Sequence, residues 1–419
     1  MPSTETALAV LVTALVAAVL LIAVLAGRLR LPYTVGMVLV GLGVAAVPLG
    51  GSVIQASPDL VVTVLLPGLI FEAAYRLNGR ELRQSFGGVA LLAIPGVLIC
   101  AAVVAIVLHL ATDLSLGESF LVGAIVSATD PVAVVATMRR LRAPERLVTL
   151  VDAESLFNDG TAVLVYAIAL GGLGGEISLA AGALSFVVAL TASAAIGAVV
   201  GLGIAWLAGR TGVHLIELAL TFLAAYGSYL IASAVHQSGI IAVVIAGIVV
   251  GTYRHETLFT ARAREAIDRV WSTLAFVLAG VAFLLIGIAI SIESLEQAAI
   301  YIAWGVVAVL VGRAIVIYGL LGGLSRLGRR FWAAPQIPLS WLHIINWTGL
   351  RGAVAMALAL SLPAGVPNRT LLQGAIFGIV LFTVLVQGTT AERVVRWAGV
   401  GPEAADAPAV VPAQERRPP

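Results

Sequence analysis

The chain has 419 residues, of which 60% are hydrophobic and 11% are charged, and its mean hydropathy is +1.07. Soluble globular proteins carry roughly 25% charged residues, so this composition excludes a soluble enzyme, a nucleic-acid-binding protein and a disordered chain. The formal net charge is +2, all 24 basic residues are arginine, and the single cysteine, Cys100, excludes an intramolecular disulfide. The composition is typical of a helical membrane protein that crosses the bilayer many times.

Apolar runs predict transmembrane helices, each close to the length of about 20 residues that crosses a bilayer. The runs lie at about 6–27, 31–49, 57–76, 86–111, 117–138, 147–171, 177–208, 213–235, 238–253, 267–290, 297–327, 335–362 and 368–398. They predict an all-α membrane protein with about thirteen spans over residues 1–398. Residues 399–419 are rich in proline and alanine, and we expect them to form a disordered cytoplasmic tail.

The arginines fall almost entirely on one side of the predicted membrane. Of the 24, 21 lie in odd-numbered loops or at the C-terminal end, Arg369 alone lies in an even-numbered loop, and Arg313 and Arg351 lie within apolar runs. Cytoplasmic loops carry the excess of basic residues in membrane proteins. We therefore expect a plasma (inner) membrane protein with its N-terminus outside and its C-terminus in the cytoplasm.

Several charged residues lie within apolar runs, where a charge costs about 2.5–3.5 kcal/mol even on the lenient insertion scale. They are Glu72, Asp130, Glu154, Asp159, Arg313 and Arg351. A single acid–arginine pair could serve only to hold two helices together. Four acids against two arginines leave an excess of carboxylates, and this excess indicates a binding site for a cation or a proton.

The stretch from Ser127 to Pro131 predicts a broken helix in the fifth span. Pro131 lacks a backbone donor and opposes the helical conformation at Asp130, which frees carbonyl groups such as that of Thr129 beside a carboxylate. The alternative is a simple proline kink, but a threonine and an aspartate directly before the proline favour an ion site. Discontinuous helices form such sites near the bilayer midplane in transporters.

In the sixth span, helical spacing places Ser155 and Asp159 on one face and Glu154 and Asn158 on the adjoining face. The first face offers a hydroxyl and a carboxylate, hard oxygen ligands that suit a small cation. The second face offers a carboxylate that could pair with an arginine.

The twelfth span contains Gly349 and Gly352 on either side of Arg351, so we expect this helix to unwind near 348–352. If spans 1–6 and 8–13 are two repeats, the fifth and twelfth spans occupy matching positions. A displacement of seven spans gives the repeats opposite orientations. Interrupted helices at matching positions of inverted repeats indicate a transporter site, although small residues also serve ordinary helix packing.

Four stretches together resemble sodium/proton antiporters of the NhaP/NHE type, in the monovalent cation:proton antiporter superfamily. They are SATDPVAV (127–134), ESLFNDGTAV (154–163), GRAIVIY (312–318) and GLRGAVAMALAL (349–360). The resemblance covers the chain except for its tail. It implies a core domain that includes parts of 57–171 and 297–398, a dimerisation domain from the remaining helices, and a homodimer in the lipid bilayer.

The resemblance also implies roles for individual residues. Asp159 matches the essential ion- and proton-binding carboxylate of the family. Further ligands of Na⁺ are implied to be Asp130, the carbonyl group of Thr129, Ser155 and Glu72. Na⁺ and H⁺ are then transported substrates, and no cofactor is expected.

Glu154 resembles the family acid that pairs with the arginine of GRAIVIY, here Arg313, and Arg351 is the alternative partner. Branches that resemble the electrogenic bacterial exchangers have two adjacent aspartates and a lysine, whereas this chain has Asn158 before Asp159 and no lysine. An arginine does not release its proton at working pH. We therefore expect electroneutral exchange of one cytoplasmic Na⁺ or Li⁺ for one external H⁺.

Three other functions use the same residues. A K⁺/H⁺ antiporter could have this site, because ion identity depends on cavity size and flexibility. A cation channel needs a continuous polar pore, whereas the buried polar residues here cluster in one place. An intramembrane aspartyl hydrolase needs two carboxylates that share a proton, such as Asp130 and Asp159, but Glu72 and Ser155 favour ion coordination. We therefore expect a transporter and not an enzyme.

Overall fold

The computed structural model describes residues 4–29, 31–46, 61–173, 179–254, 259–324 and 337–400, and these ranges contain helices and no β-strand. In chain order the helices are α1 (Thr4–Arg28), α2 (Tyr33–Ala46), α3 (61–76), α4 (Gly79–Ala111), α5 (Leu116–Val126), α6 (Val132–Arg140), α7 (Glu145–Gly172), α8 (Leu179–Thr211), α9 (His214–Ala234), α10 (Gly239–Arg254), α11 (Ala261–Ala289), α12 (Ile292–Gln297), α13 (Ala299–Leu324), α14 (Leu339–Trp347), α15 (Ala353–Leu360) and α16 (Arg369–Trp397). The prediction of an all-α membrane protein is confirmed.

Each predicted span contains a helix, or in the fifth and twelfth spans a pair of helices separated by a break. Of the described helices, six are long and apolar enough to cross a bilayer, or seven if the bent pair α1 and α2 counts as one span. The halves of the broken spans are too short for this test, since α5, α6, α14 and α15 have 11, 9, 9 and 8 residues. The count of thirteen stays a prediction, and the predicted tail lies outside the described residues from 401 onward.

The described helices pack in two groups. The helices α4–α7 and α13–α16 pack on one another, and α1, α2 and α8–α11 form the second group. Helix α3 packs mainly on α10 and α11 of the second group. Small residues allow close approach within this group, because a Cβ added at Gly41 of α2 would lie 2.9 Å from the Cα of Gly287 in α11. The division into a core and a dimerisation domain stays a prediction.

The two broken spans touch each other at their breaks. Helix α5 ends at Val126 and α6 begins at Val132, while α14 ends at Trp347 and α15 begins at Ala353. The backbone N–H of Asp130 donates to the carbonyl group of Leu350 at 2.7 Å. The chain at Gly352 lies so close that a Cβ there would overlap the carboxylate of Asp130. The breaks predicted from Pro131 and from the glycines therefore meet in space.

We predict that Gly352→Ala destabilises the protein, because the added methyl group must displace either the Asp130 carboxylate or the start of α15. Overpacking of this kind costs roughly 1–3 kcal/mol. The measurement is the midpoint of thermal unfolding of the purified protein in detergent. The matched control is Gly319→Ala in α13, where a Cβ would meet no heavy atom within 4 Å. Equal midpoints for the two variants would contradict the close contact.

Candidate functional site

A cavity of about 250 Å³ lies between α3, α6, α7, α11 and α15. Its wall includes Asp130 beside the first break and Ser155 and Asp159 from α7. It extends to Arg76 and Arg139, whose side chains are 38% and 43% exposed. The cavity therefore extends from the two breaks to these partly exposed arginines, which mark its mouth and lie on the side of the chain predicted to be rich in arginine, called here the arginine-rich face.

The Asp130 carboxylate lies at the start of two half-helices. One of its oxygens accepts a hydrogen bond from the backbone N–H of Val132 at 3.2 Å, and the other accepts from the N–H of Ala353 at 3.4 Å. These residues begin α6 and α15, whose first N–H groups have no partner within their own helices. A negative charge at a helix N-terminus is favourable, and Asp130 occupies two such positions at once.

Thr129 connects the first break to α7. Its carbonyl group, free because the helix is interrupted, accepts a hydrogen bond from the hydroxyl of Ser155. Its own hydroxyl accepts a hydrogen bond from the side-chain amide of Asn158 at 3.4 Å. A carbonyl and a hydroxyl each retain lone pairs after these contacts, so both oxygens remain able to contact a cation.

Asp159 has the least satisfied carboxylate of these residues. The residue is 9% exposed, lines the cavity, and its Oδ1 atom is buried and accepts no hydrogen bond from the described residues. A buried oxygen without a donor carries a desolvation cost of roughly 1–3 kcal/mol, and more when it is charged. A proton or a cation in the cavity would remove this cost.

The neighbouring acid, Glu154, is fully engaged. The guanidinium of Arg313 donates to both of its carboxylate oxygens, at 2.6 and 3.0 Å, and also to the carbonyl group of Ile345 at 2.9 Å. The side chains of Glu154 and Arg313 are 2% and 7% exposed. Asn158 adds a third hydrogen bond to Glu154 at 3.3 Å. The geometry therefore pairs Glu154 with Arg313 and not with Arg351.

Arg351 lies in the second break and is 1% exposed. Its guanidinium donates to the carbonyl group of Gly349 at 3.1 Å and lies 3.8 Å from the sulfur of Cys100. Its backbone N–H donates to the hydroxyl of Thr383 at 3.0 Å. These contacts fix the unwound segment against α4 and α16.

Glu72 also lines the cavity, but its carboxylate pairs with Arg76, one helical turn later in α3, at 3.0 Å. Among the described residues, no group of three or more acidic, histidine or cysteine side chains is arranged to hold a metal ion. The resemblance implied that Glu72 binds Na⁺ together with Asp130 and Asp159, whereas in the structure its carboxylate pairs with Arg76. The four-residue spacing from Glu72 to Arg76 was the available signal for this pair.

A second ion pair lines the same cavity and was not predicted. Arg139 of α6 donates to Asp152 of α7 at 3.0 Å, and both residues lie in the cavity wall. The sequence carries no signal for this pair, because the two residues belong to different helices and only their packing brings them together.

Known proteins are similar to this chain over nearly its whole length. The transmembrane region of the sodium/hydrogen exchanger family matches residues 12–397. The Na⁺/H⁺ antiporter ApNhaP of Aphanothece halophytica is 39% identical over 375 residues, which cover 88% of this chain and 70% of that protein. The low-affinity Na⁺/H⁺ antiporter NhaS1 of a Synechocystis strain is 36% identical over 369 residues, with coverage of 88% and 69%.

A solved structure shares the fold. The sodium proton antiporter MjNhaP1 from Methanocaldococcus jannaschii superposes with a TM-score of 0.69 at 20% identity, covering 94% of this chain and 98% of that chain. This likeness shows that the two chains share a fold over nearly their whole lengths. With its transmembrane region matched from residue 12 to residue 397, the chain belongs to the sodium/hydrogen exchanger family.

Proposed function

We propose that the chain exchanges Na⁺ for H⁺ across the membrane, with the carboxylate of Asp159 as the group that binds either ion. One observation carries this proposal: Asp159 lines a cavity that reaches the arginine-rich face, and its buried Oδ1 atom has no hydrogen-bond donor among the described residues. The names of the relatives ApNhaP and NhaS1 describe Na⁺/H⁺ antiporters, which supports the same pair of ions.

We propose that Na⁺ is held by oxygen atoms from the first break and from α7. The ligands are the carboxylates of Asp159 and Asp130, the hydroxyl of Ser155 and the carbonyl group of Thr129. All are hard oxygen donors, the type that binds alkali and alkaline-earth cations in proteins. Glu72 lies nearer the mouth of the cavity and joins this set only when its carboxylate leaves Arg76.

Exchange follows from competition at one carboxylate. When Asp159 carries either a proton or Na⁺, its charge is neutralised and the site moves across the membrane at low cost. A bare carboxylate in contact with hydrocarbon is expensive, and this cost prevents movement of the empty site. Each passage in one direction with Na⁺ is therefore matched by a passage in the other with H⁺.

The stoichiometry that we propose is one Na⁺ for one H⁺. Asn158 stands where a second aspartate would be. Arg313 donates through both of its terminal guanidinium nitrogens to Glu154, and an arginine keeps its proton at working pH. We propose that the cavity mouth faces the cytoplasm, with the N-terminus outside and the C-terminus inside, because cytoplasmic loops carry the excess of basic residues in membrane proteins. We also propose that the protein forms a homodimer in the plasma membrane, and this part of the proposal rests on the family alone.

The test of the assigned carboxylate is Asp159→Asn, which removes the titrating group and keeps the shape. We expect this variant to fold and to lose Na⁺-driven proton movement in liposomes. The control is Glu293→Gln, which removes one negative charge from an exposed position in α12, outside the cavity, and should retain activity. Substantial exchange by Asp159→Asn would refute the assignment.

We also predict that Glu154 and Arg313 stabilise the protein without carrying protons. Replacing either residue by alanine leaves the other charge buried and uncompensated, at a cost of about 3–5 kcal/mol. Thermal unfolding in detergent should show a large loss for each single variant and a smaller additional loss for the double variant. If the losses of stability in the two single variants add up to the loss in the double variant, the two residues have no coupling energy, and the predicted structural role of the pair is wrong.

A further inference from the structure

The mouth of the cavity is lined by two ion pairs. Arg76 pairs with Glu72 within α3, and Arg139 pairs with Asp152 between α6 and α7, each at 3.0 Å. All four side chains lie in the wall of the cavity that also contains Asp159. A cation that approaches from the arginine-rich face therefore meets two carboxylates that are already neutralised by guanidinium groups.

The Glu72–Arg76 pair lies within one helix, whereas the Arg139–Asp152 pair joins two helices. Glu72 and Arg76 are one turn apart on the same helix, so their ion pair forms and breaks by side-chain rotation alone. The side chain of Glu72 is 15% exposed and that of Arg76 is 38% exposed, so the guanidinium has room to move outward. Arg139 and Asp152, by contrast, join two helices, and separating them changes helix packing.

We propose that Arg76 lowers the apparent affinity of the site for Na⁺ by competing with the ion for the Glu72 carboxylate. This inference rests on the proposed Na⁺/H⁺ exchange. The guanidinium acts as a cation tethered to the wall of the site. Na⁺ must displace it to gain Glu72 as a ligand, and the re-formed pair favours release of Na⁺ into the cavity mouth.

A simpler effect would also lower Na⁺ affinity, namely repulsion by the positive charge of Arg76. That effect acts whether or not residue 72 is a carboxylate. Competition for a ligand, in contrast, disappears once the ligand is removed. The two explanations therefore separate in a double-mutant cycle of Glu72 and Arg76.

The experiment measures the Na⁺ dependence of exchange in proteoliposomes for wild type, Arg76→Gln, Glu72→Gln and the double variant. We expect Arg76→Gln to lower the apparent KM for Na⁺ about two- to five-fold, the range for a partly exposed ion pair. Glu72→Gln should raise the KM. In the Glu72→Gln background, Arg76→Gln should leave the KM unchanged.

Two further variants complete the design. Arg80→Gln removes the same charge from an exposed neighbour at the start of α4, outside the cavity wall, and should leave the KM unchanged. Arg76→Lys keeps a positive charge in a different geometry, and should give a KM between those of wild type and Arg76→Gln. It replaces Arg76→Gln as the deciding variant if the latter fails to fold, as judged by thermal unfolding.

An unchanged KM in Arg76→Gln, or an equal decrease with and without Glu72, would overturn the proposal. An unchanged KM in Glu72→Gln would overturn it as well, because Glu72 would then not be a ligand. Failure of the underlying function gives a different result, since wild-type proteoliposomes would then show no Na⁺-driven proton movement at all.

Discussion

The backbone hydrogen bond from Asp130 to Leu350 joins two helices at the points where both are interrupted. Backbone groups inside a continuous helix are satisfied within it, so a site built from carbonyl and N–H groups exists in a membrane only where helices break. Here the breaks place the Asp130 carboxylate at the start of both α6 and α15 and turn the Thr129 carbonyl group towards Ser155. The proposed binding site requires the two breaks to meet, and this hydrogen bond joins them.

Two of the acidic residues of helix α7, Glu154 and Asp159, differ in how their carboxylates are hydrogen-bonded. Glu154 is buried and receives hydrogen bonds from Arg313 and Asn158. Asp159, little more than one turn later, has an oxygen that accepts no hydrogen bond within the described part of the chain. Different surroundings often give neighbouring carboxylates different roles, and Glu154 and Asp159 differ in their surroundings in this way. The paired Glu154 fixes α7 against α13, and we propose that Asp159, on the adjoining face, binds the transported ion.

Much of this arrangement was predictable from local features of the sequence. Pro131 indicated the first break, and helical spacing placed Ser155 with Asp159 and Glu154 with Asn158. The contact between the breaks required the topology of the whole chain, and residues 130 and 350 are far apart in sequence. The partner of Glu72 could not be predicted either. The sequence is compatible with Glu72 as an ion ligand and equally with an ion pair to the arginine four residues later. Only the observed ion pair with Arg76 shows which contact the carboxylate makes.

The central claim is that one carboxylate serves both ions, and Na⁺ binding to the purified protein as a function of pH tests it most directly. If a single proton competes with Na⁺ at Asp159, the apparent dissociation constant for Na⁺ should rise about tenfold for each unit by which pH falls below the pKa of that carboxylate. Each Na⁺ bound there should release one proton into a weakly buffered solution. A dissociation constant that does not vary with pH, or Na⁺ binding without proton release, would contradict the account.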